Sequence, residues 1–159
     1  MKGDPNVIAQ LKSLLQSEFT AMAQWRCDAQ ILRNEGFKDL KHKFHGFFYE
    51  ENTHSKQLIN RMLLIGGMPD PNNFMAAPPS IALDVVDIFS KELALETDAI
   101  TRYNAAIKVA DTASDNVTLD LLTEILEDEN EHAEWLEKQL AIIRRVTKEN
   151  YLADRIHER

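Results

Sequence analysis

Cysteine is almost absent. Cys27 is the only one in 159 residues, which excludes a disulfide framework, a four-cysteine zinc site and a CxxC redox pair. Long apolar runs are missing too: none approaches the ~18 residues of a membrane span. The opening Met1-Lys2-Gly3-Asp4-Pro5 has no apolar signal segment, so a cytoplasmic protein with no membrane partner is expected. Basic residues are outnumbered, 18 Lys+Arg against 26 Asp+Glu, for a net charge of −8. That balance argues against nucleic acid as a partner, because phosphate backbones need clustered Lys and Arg. Glycine and proline number five each, and none lies beyond Pro79. A second half without helix breakers, rich in Ala, Leu, Glu and Lys, predicts an all-α fold. Chains of this length bury roughly 70% of their unfolded surface, so residues 1–159 are read as one domain with a sizeable core.

Asp4-Pro5 reads as an N-cap followed by proline at the first helical position, where the missing N–H costs nothing. The first helix is expected to run to about Asn34, with Gly36 turning the chain into a second that ends at Gly66-Gly67. Residues 68–80 are rich in breakers and form the one long connection. A third helix is expected from near Ile81, a polar break over Asp111–Asn116, a fourth helix fading near Thr147, and a short fifth over Tyr151–Glu158. Two short turns and one long crossover describe a four-helix bundle.

The apolar stripes contain a repeat. The first helix places Val7, Leu11, Leu15, Glu18, Met22, Trp25, Ala29 and Leu32 on one face, and the second Phe44, Phe47, Glu51, His54, Leu58, Met62 and Ile65. Moving 78 residues along gives Val85, Phe89, Leu93, Glu96, Ile100, Tyr103, Ile107 and Ala110, then Leu122, Ile125, Glu129, His132, Leu136, Leu140 and Ile143. The chain is a helical hairpin written twice, with its polar interruptions in the same places.

Those interruptions carry the chemistry. Glu18, Glu51, His54, Glu96, Glu129 and His132 sit where a core stripe calls for hydrocarbon. A carboxylate there costs several kcal/mol unless it is protonated, paired or metal-bound, and the stripes bring no Lys or Arg. Two divalent cations would neutralise four carboxylates, and neutral imidazoles would complete the set. An acid three residues before a histidine is common by itself: Asp39-His42 and Asp154-His157 also have it. Only Glu51 and Glu129 have a further Glu 33 residues upstream; the other two acids have Asn6 and Leu121 there. Two lone Glu plus two Glu-x-x-His is the ligand set of ferritin-like di-iron bundles. Mixed carboxylate and imidazole donors suit iron, manganese or zinc by type, and the open positions that six residues leave on two metals for O2 or peroxide favour iron first and manganese second.

With these residues, the chain resembles the bacterioferritins along essentially its whole length. Met-Lys-Gly-Asp-Pro, Leu93-Ala94-Leu95-Glu96, Glu124-Ile125-Leu126, Trp135-Leu136-Glu137 and Asn150-Tyr151-Leu152 carry the resemblance. It implies a 24-subunit cage that oxidises Fe(II) with O2 or H2O2 and stores ferric mineral. It also implies two iron ions per subunit, with Glu51 and Glu129 bridging, Glu18 and Glu96 terminal, and one histidine on each iron. The family's haem-ligating methionine falls at Asn52, so homo-oligomers are expected to bind no haem. A mixed cage with a haem-binding paralogous subunit stays open. Trp25 stands where the family usually has tyrosine near the di-iron centre, and Gly46 where an inner-surface histidine is expected, with Glu50 keeping a carboxylate nearby.

Three other functions compete with this reading. A rubrerythrin-like di-iron peroxidase would need a four-cysteine module. A mainly structural subunit of a mixed cage would show disrupted ligands, and a DNA-protecting miniferritin would place its ligands at a dimer interface. Cys27, His42, His45, His157 and Trp135 are read as surface, core or contact residues, and Glu50 and Asp128 as candidates to orient the histidines.

Overall fold

The computed structural model describes residues 2–70, 72 and 74–156. α1 spans Pro5–Asn34, α2 Lys38–Leu64, α3 Val85–Thr112, α4 Asn116–Val146 and α5 Lys148–Ala153. α1 starts as expected: the Asp4 carboxylate accepts from Asn6 N at 2.7 Å, ahead of Pro5 at the first position. Its end is closed by Gly36 at φ 92°, a left-handed conformation that side chains resist. α1 and α2 form one hairpin and α3 and α4 the other, and residues 65–84 cross between them. Among the described residues no helix is long and apolar enough to cross a membrane.

Two boundaries differ from expectation. α3 begins at Val85 rather than near Ile81, because the Asp84 side chain caps Val86 N at 2.9 Å. Ile81 and Leu83 before it stay exposed. The fifth helix comes earlier than expected, at Lys148–Ala153, and residues 157 and 158 of the expected range lie outside the described residues. Thr147, at φ 71°, reverses the chain after α4 so that α5 folds back. Tyr151 then enters the core, where its hydroxyl donates to Gln139 Oε1 at 2.8 Å.

The core has two apolar clusters. One gathers Trp25, Phe44, Phe89, Leu136 and Tyr151; the other gathers Leu11, Leu58, Met62, Leu122 and Ile125. Each such side chain contributes about 1.5–3 kcal/mol on burial. Along every helix the acids and histidines of the stripe fall between the two clusters, so they form one polar layer with hydrocarbon on both sides. The buried face of α3 is broader than the expected stripe. Ile88, Glu92, Ala99 and Ala106 are buried, while Leu93, Ile100 and Ile107 are only partly so.

Candidate metal centre

The layer brings together all six residues expected from the sequence, each no more than 2% exposed. Their side chains form two overlapping groups, Glu18–Glu51–His54–Glu129 and Glu51–Glu96–Glu129–His132. Within each group, one ligand atom per residue lies within 4.8 Å of the others. Glu51 and Glu129 belong to both. α1 and α3 bring one acid each, and α2 and α4 bring the Glu-x-x-His pairs, whose members stack one turn apart.

Imidazoles and carboxylates interlock across the layer. His54 Nδ1 bonds Glu51 Oε2 at 3.1 Å. It also approaches Glu129 Oε1 at 3.1 Å and Glu18 Oε2 at 3.4 Å. His132 Nδ1 lies 3.2 Å from Glu51 Oε1 and 3.5 Å from Glu96 Oε2. Glu18 Oε2, Glu51 Oε1, Glu96 Oε2, Glu129 Oε1 and His132 Nδ1 are buried with no hydrogen-bond partner. Such orphaned donor atoms facing one another in hydrocarbon fit two cations and poorly fit a purely structural core.

The outer ring nitrogens are held from outside the layer. His54 Nε2 meets Asp128 Oδ2 at 3.0 Å, and His132 Nε2 meets Glu50 Oε2 at 2.5 Å. Each acid reaches across from the opposite helix, so the α2 histidine is held from α4 and the reverse. A carboxylate on one nitrogen turns the other inward and raises its basicity. Both acids touch the outer ring nitrogens while their side chains remain half exposed, 51% for Glu50 and 48% for Asp128.

Protons balance the charge in this state. Burial, then the Glu51 charge, pushes Glu18 well above its usual value, and burial, then Glu129 and Glu51, does the same to Glu96. Glu129 rises to about 7, through burial and then the charges of Glu51 and Glu18. Burial opposes ionisation of Glu51 as well, but the imidazoles of His132 and His54 outweigh it and hold that carboxyl low. Both histidines are pushed up, because the surrounding carboxylates outweigh burial.

A model of the ferritin-like domain matches residues 8–146. The chain belongs to the ferritin family. It is 33% identical over 153 residues to a bacterial ferritin of Synechocystis, which covers 96% of this chain and 97% of the relative. It is 32% identical over 152 residues to a bacterial ferritin of Neisseria meningitidis serogroup B, covering 95% and 97%. A bacterioferritin of Mycobacterium leprae is 29% identical over 153 residues, covering 96% and 95%.

Within this ferritin-family bundle, three buried groups escaped the sequence reading. The Tyr103 hydroxyl donates to Glu18 Oε1 at 2.5 Å, a polar role concealed by its place on an apolar stripe. Asp28 and Glu92 are also fully buried. They flank the expected stripes, and a wider helix face would have included them. Trp25 packs on Phe44 and Phe47, with ring centroids 4.8 Å away in each case, and its Nε1 has no partner. Asn52 is exposed on α2, and His42 and His45 lie outside the layer, His45 Nε2 meeting Gln30 Nε2 at 3.2 Å. His157 lies outside the described residues.

Proposed function

We propose that this chain, acting as a single domain over residues 1–159, is a ferroxidase subunit of a cytoplasmic iron-storage cage. Two Fe(II) ions are the substrate. Glu51 and Glu129 bridge them, Glu18 and Glu96 bind one each, and His54 and His132 complete one position each. Electrons pass from iron to O2 or H2O2, and the ferric product is deposited inside a closed shell of 24 subunits. The observation that carries this reading is the sharing of Glu51 and Glu129 between two buried ligand groups. A lone cation would not need two acids common to both groups.

A cavity of about 200 Å³ between α1 and α3 supports access for small substrates, since Glu18, Glu51, Glu96 and Glu129 line it beside Ala76 and Ala77 of the crossover. A second, lined by Glu50, His54, Glu124 and Asp128, gives an acidic path on the α2–α4 side. The protein's net charge of −8 favours Fe(II) accumulation. The test joins two measurements on the purified chain. Anaerobic Fe(II) exposed to air should produce a fast rise in near-ultraviolet absorbance, and the particle should elute as a large closed oligomer. A slow rise matching iron in buffer alone would overturn the ferroxidase, and a monomer or dimer at physiological salt would overturn the cage.

A further inference from the structure

The two halves of the candidate metal centre differ by one hydrogen-bond donor. Two turns beyond its acid, α1 places Trp25 and α3 places Tyr103, and both are fully buried. They close the polar layer against different apolar clusters. Trp25 packs on Phe44 and Phe47, and Tyr103 belongs to the cluster of Leu11, Leu58 and Leu122. The Tyr103 hydroxyl crosses to the other hairpin and donates to Glu18 Oε1 at 2.5 Å. Trp25 makes no such bond. Its Nε1 is buried without a partner, and its ring stands edge-on to His132 with centroids 6.3 Å apart.

The bond divides the work of the Glu18 carboxyl. Oε1 faces the phenol, while Oε2, buried without a partner, turns to the ligand group and lies 3.4 Å from His54 Nδ1. With one oxygen tied, the side chain is held in one orientation before any cation arrives. Outer partners of this kind fix a ligand in place, and losing one typically lowers metal affinity about 10- to 100-fold. The rings are matched across the repeat, since His54 meets Asp128 and His132 meets Glu50. The lone acids are not. Glu96 Oε2 lies 3.5 Å from His132 Nδ1 without a hydrogen-bond partner, and Trp25, at the place of Tyr103 in the repeat, brings it no donor.

We propose that Tyr103 is a positioning residue that sets the order in which the two cation positions fill. The position around Glu18 and His54 binds first, and the one around Glu96 and His132 second. This order presupposes the two-metal reading proposed above. Glu51 and Glu129 serve both groups, and each histidine has its own outer acid, so the anchored lone acid decides between them. Binding charges a free side chain the entropy of fixing its rotamer. Glu18 has met that cost on folding, through Tyr103, whereas Glu96 meets it when the cation arrives.

The experiment uses the full-length assembled protein, freed of metal, as wild type and Tyr103→Phe. Co(II) titration followed by visible absorbance should give two steps per subunit in wild type, the first about 10- to 100-fold tighter than the second. Tyr103→Phe should weaken the first step by about that factor and bring the two together, with the second unchanged. Zn(II), a d10 ion, reads the order in wild type alone. Its first equivalent should shift a near-ultraviolet tyrosine band as Glu18 takes the cation, its second should not, and Tyr103→Phe should lack the shift. The wild-type measurement decides the matter should the variant fail to assemble. A residue that only fills the core would alter stability and leave the ratio of the two steps as it was. Two equal steps in wild type, an unchanged ratio in Tyr103→Phe, or a tyrosine shift confined to the second equivalent overturns the proposal. Uptake of fewer than two Co(II) per subunit by wild type instead overturns the two-metal centre itself.

Discussion

Trp25 and Tyr103 stand 78 residues apart at equivalent positions of the repeat, yet only Tyr103 reaches a candidate ligand. Its hydroxyl donates to Glu18 Oε1 at 2.5 Å, whereas Trp25 Nε1 is buried without a partner. The centre is therefore unequal: the Glu18 side has one carboxylate oxygen already engaged. Tyr103→Phe should cost about 1–3 kcal/mol of stability in the metal-free protein, by leaving a buried oxygen without its donor. Denaturant titration of both proteins checks it; an unchanged midpoint counts against the bond.

Glu129→Ala and Glu18→Ala should each abolish rapid Fe(II) oxidation while leaving the bundle helical. Removing Glu129 also relieves repulsion among buried acids, so metal-free stability should hold or rise. Glu18→Ala should gain less, because it strands the Tyr103 hydroxyl. Stopped-flow absorbance and thermal melts read the two effects separately.

Asp128→Asn and Glu50→Gln probe how the rings are held. Each weakens the grip on an outer imidazole nitrogen, His54 and His132 respectively. Such changes typically lower metal affinity about 10- to 100-fold. Co(II) titration by absorbance should show that loss with the helical content unchanged.

The expected helices and the six-residue Glu/His cluster were legible because their signals are periodic. Glu18 and Glu51 recur as Glu96 and Glu129, and few accidents imitate two Glu-x-x-His runs at matching offsets. Asp28 and Glu92 were not legible for the opposite reason. They occur in one half only, beside the stripe, and their burial follows from how α1, α3 and the crossover meet. The fifth helix was misplaced because its start depends on the left-handed turn at Thr147, a residue type that gives no such warning.

Asp115 offers a pH test remote from the metal. It caps α4, accepting from Thr118 N at 3.1 Å and from Arg61 at 2.6 Å. Burial raises its carboxyl, but Thr118 and Arg61 outweigh that and hold it below the usual range. A depressed folded value means the contribution is complete above the unfolded value, ~3.9, and lost as pH falls through the folded one. Asp115→Ala should therefore cost about 1–2 kcal/mol near neutrality, and the gap to wild type should close in strong acid. Melting temperatures across that range check the sign.

Homo-oligomers should contain no methionine-ligated haem. Asn52, where the bacterioferritin resemblance implies a haem-ligating methionine, is exposed on α2, and its amide oxygen is a harder ligand than a thioether. The absorption spectrum of reduced, mineral-free protein expressed with excess haem should lack a Soret band with sharp α and β bands. Asn52→Met should introduce them.

The overlap of the two ligand groups has a consequence for how the subunit holds together. Neither hairpin owns a complete set: the group around His54 borrows Glu129 from the second half, and the group around His132 borrows Glu51 from the first. The covalent link between the halves, residues 65–84, is mostly exposed over 74–80. Cations bound to the shared acids would thus act as a clasp between two half-molecules, fastening α1–α2 to α3–α4 from the inside. The iron would be cargo and rivet at once.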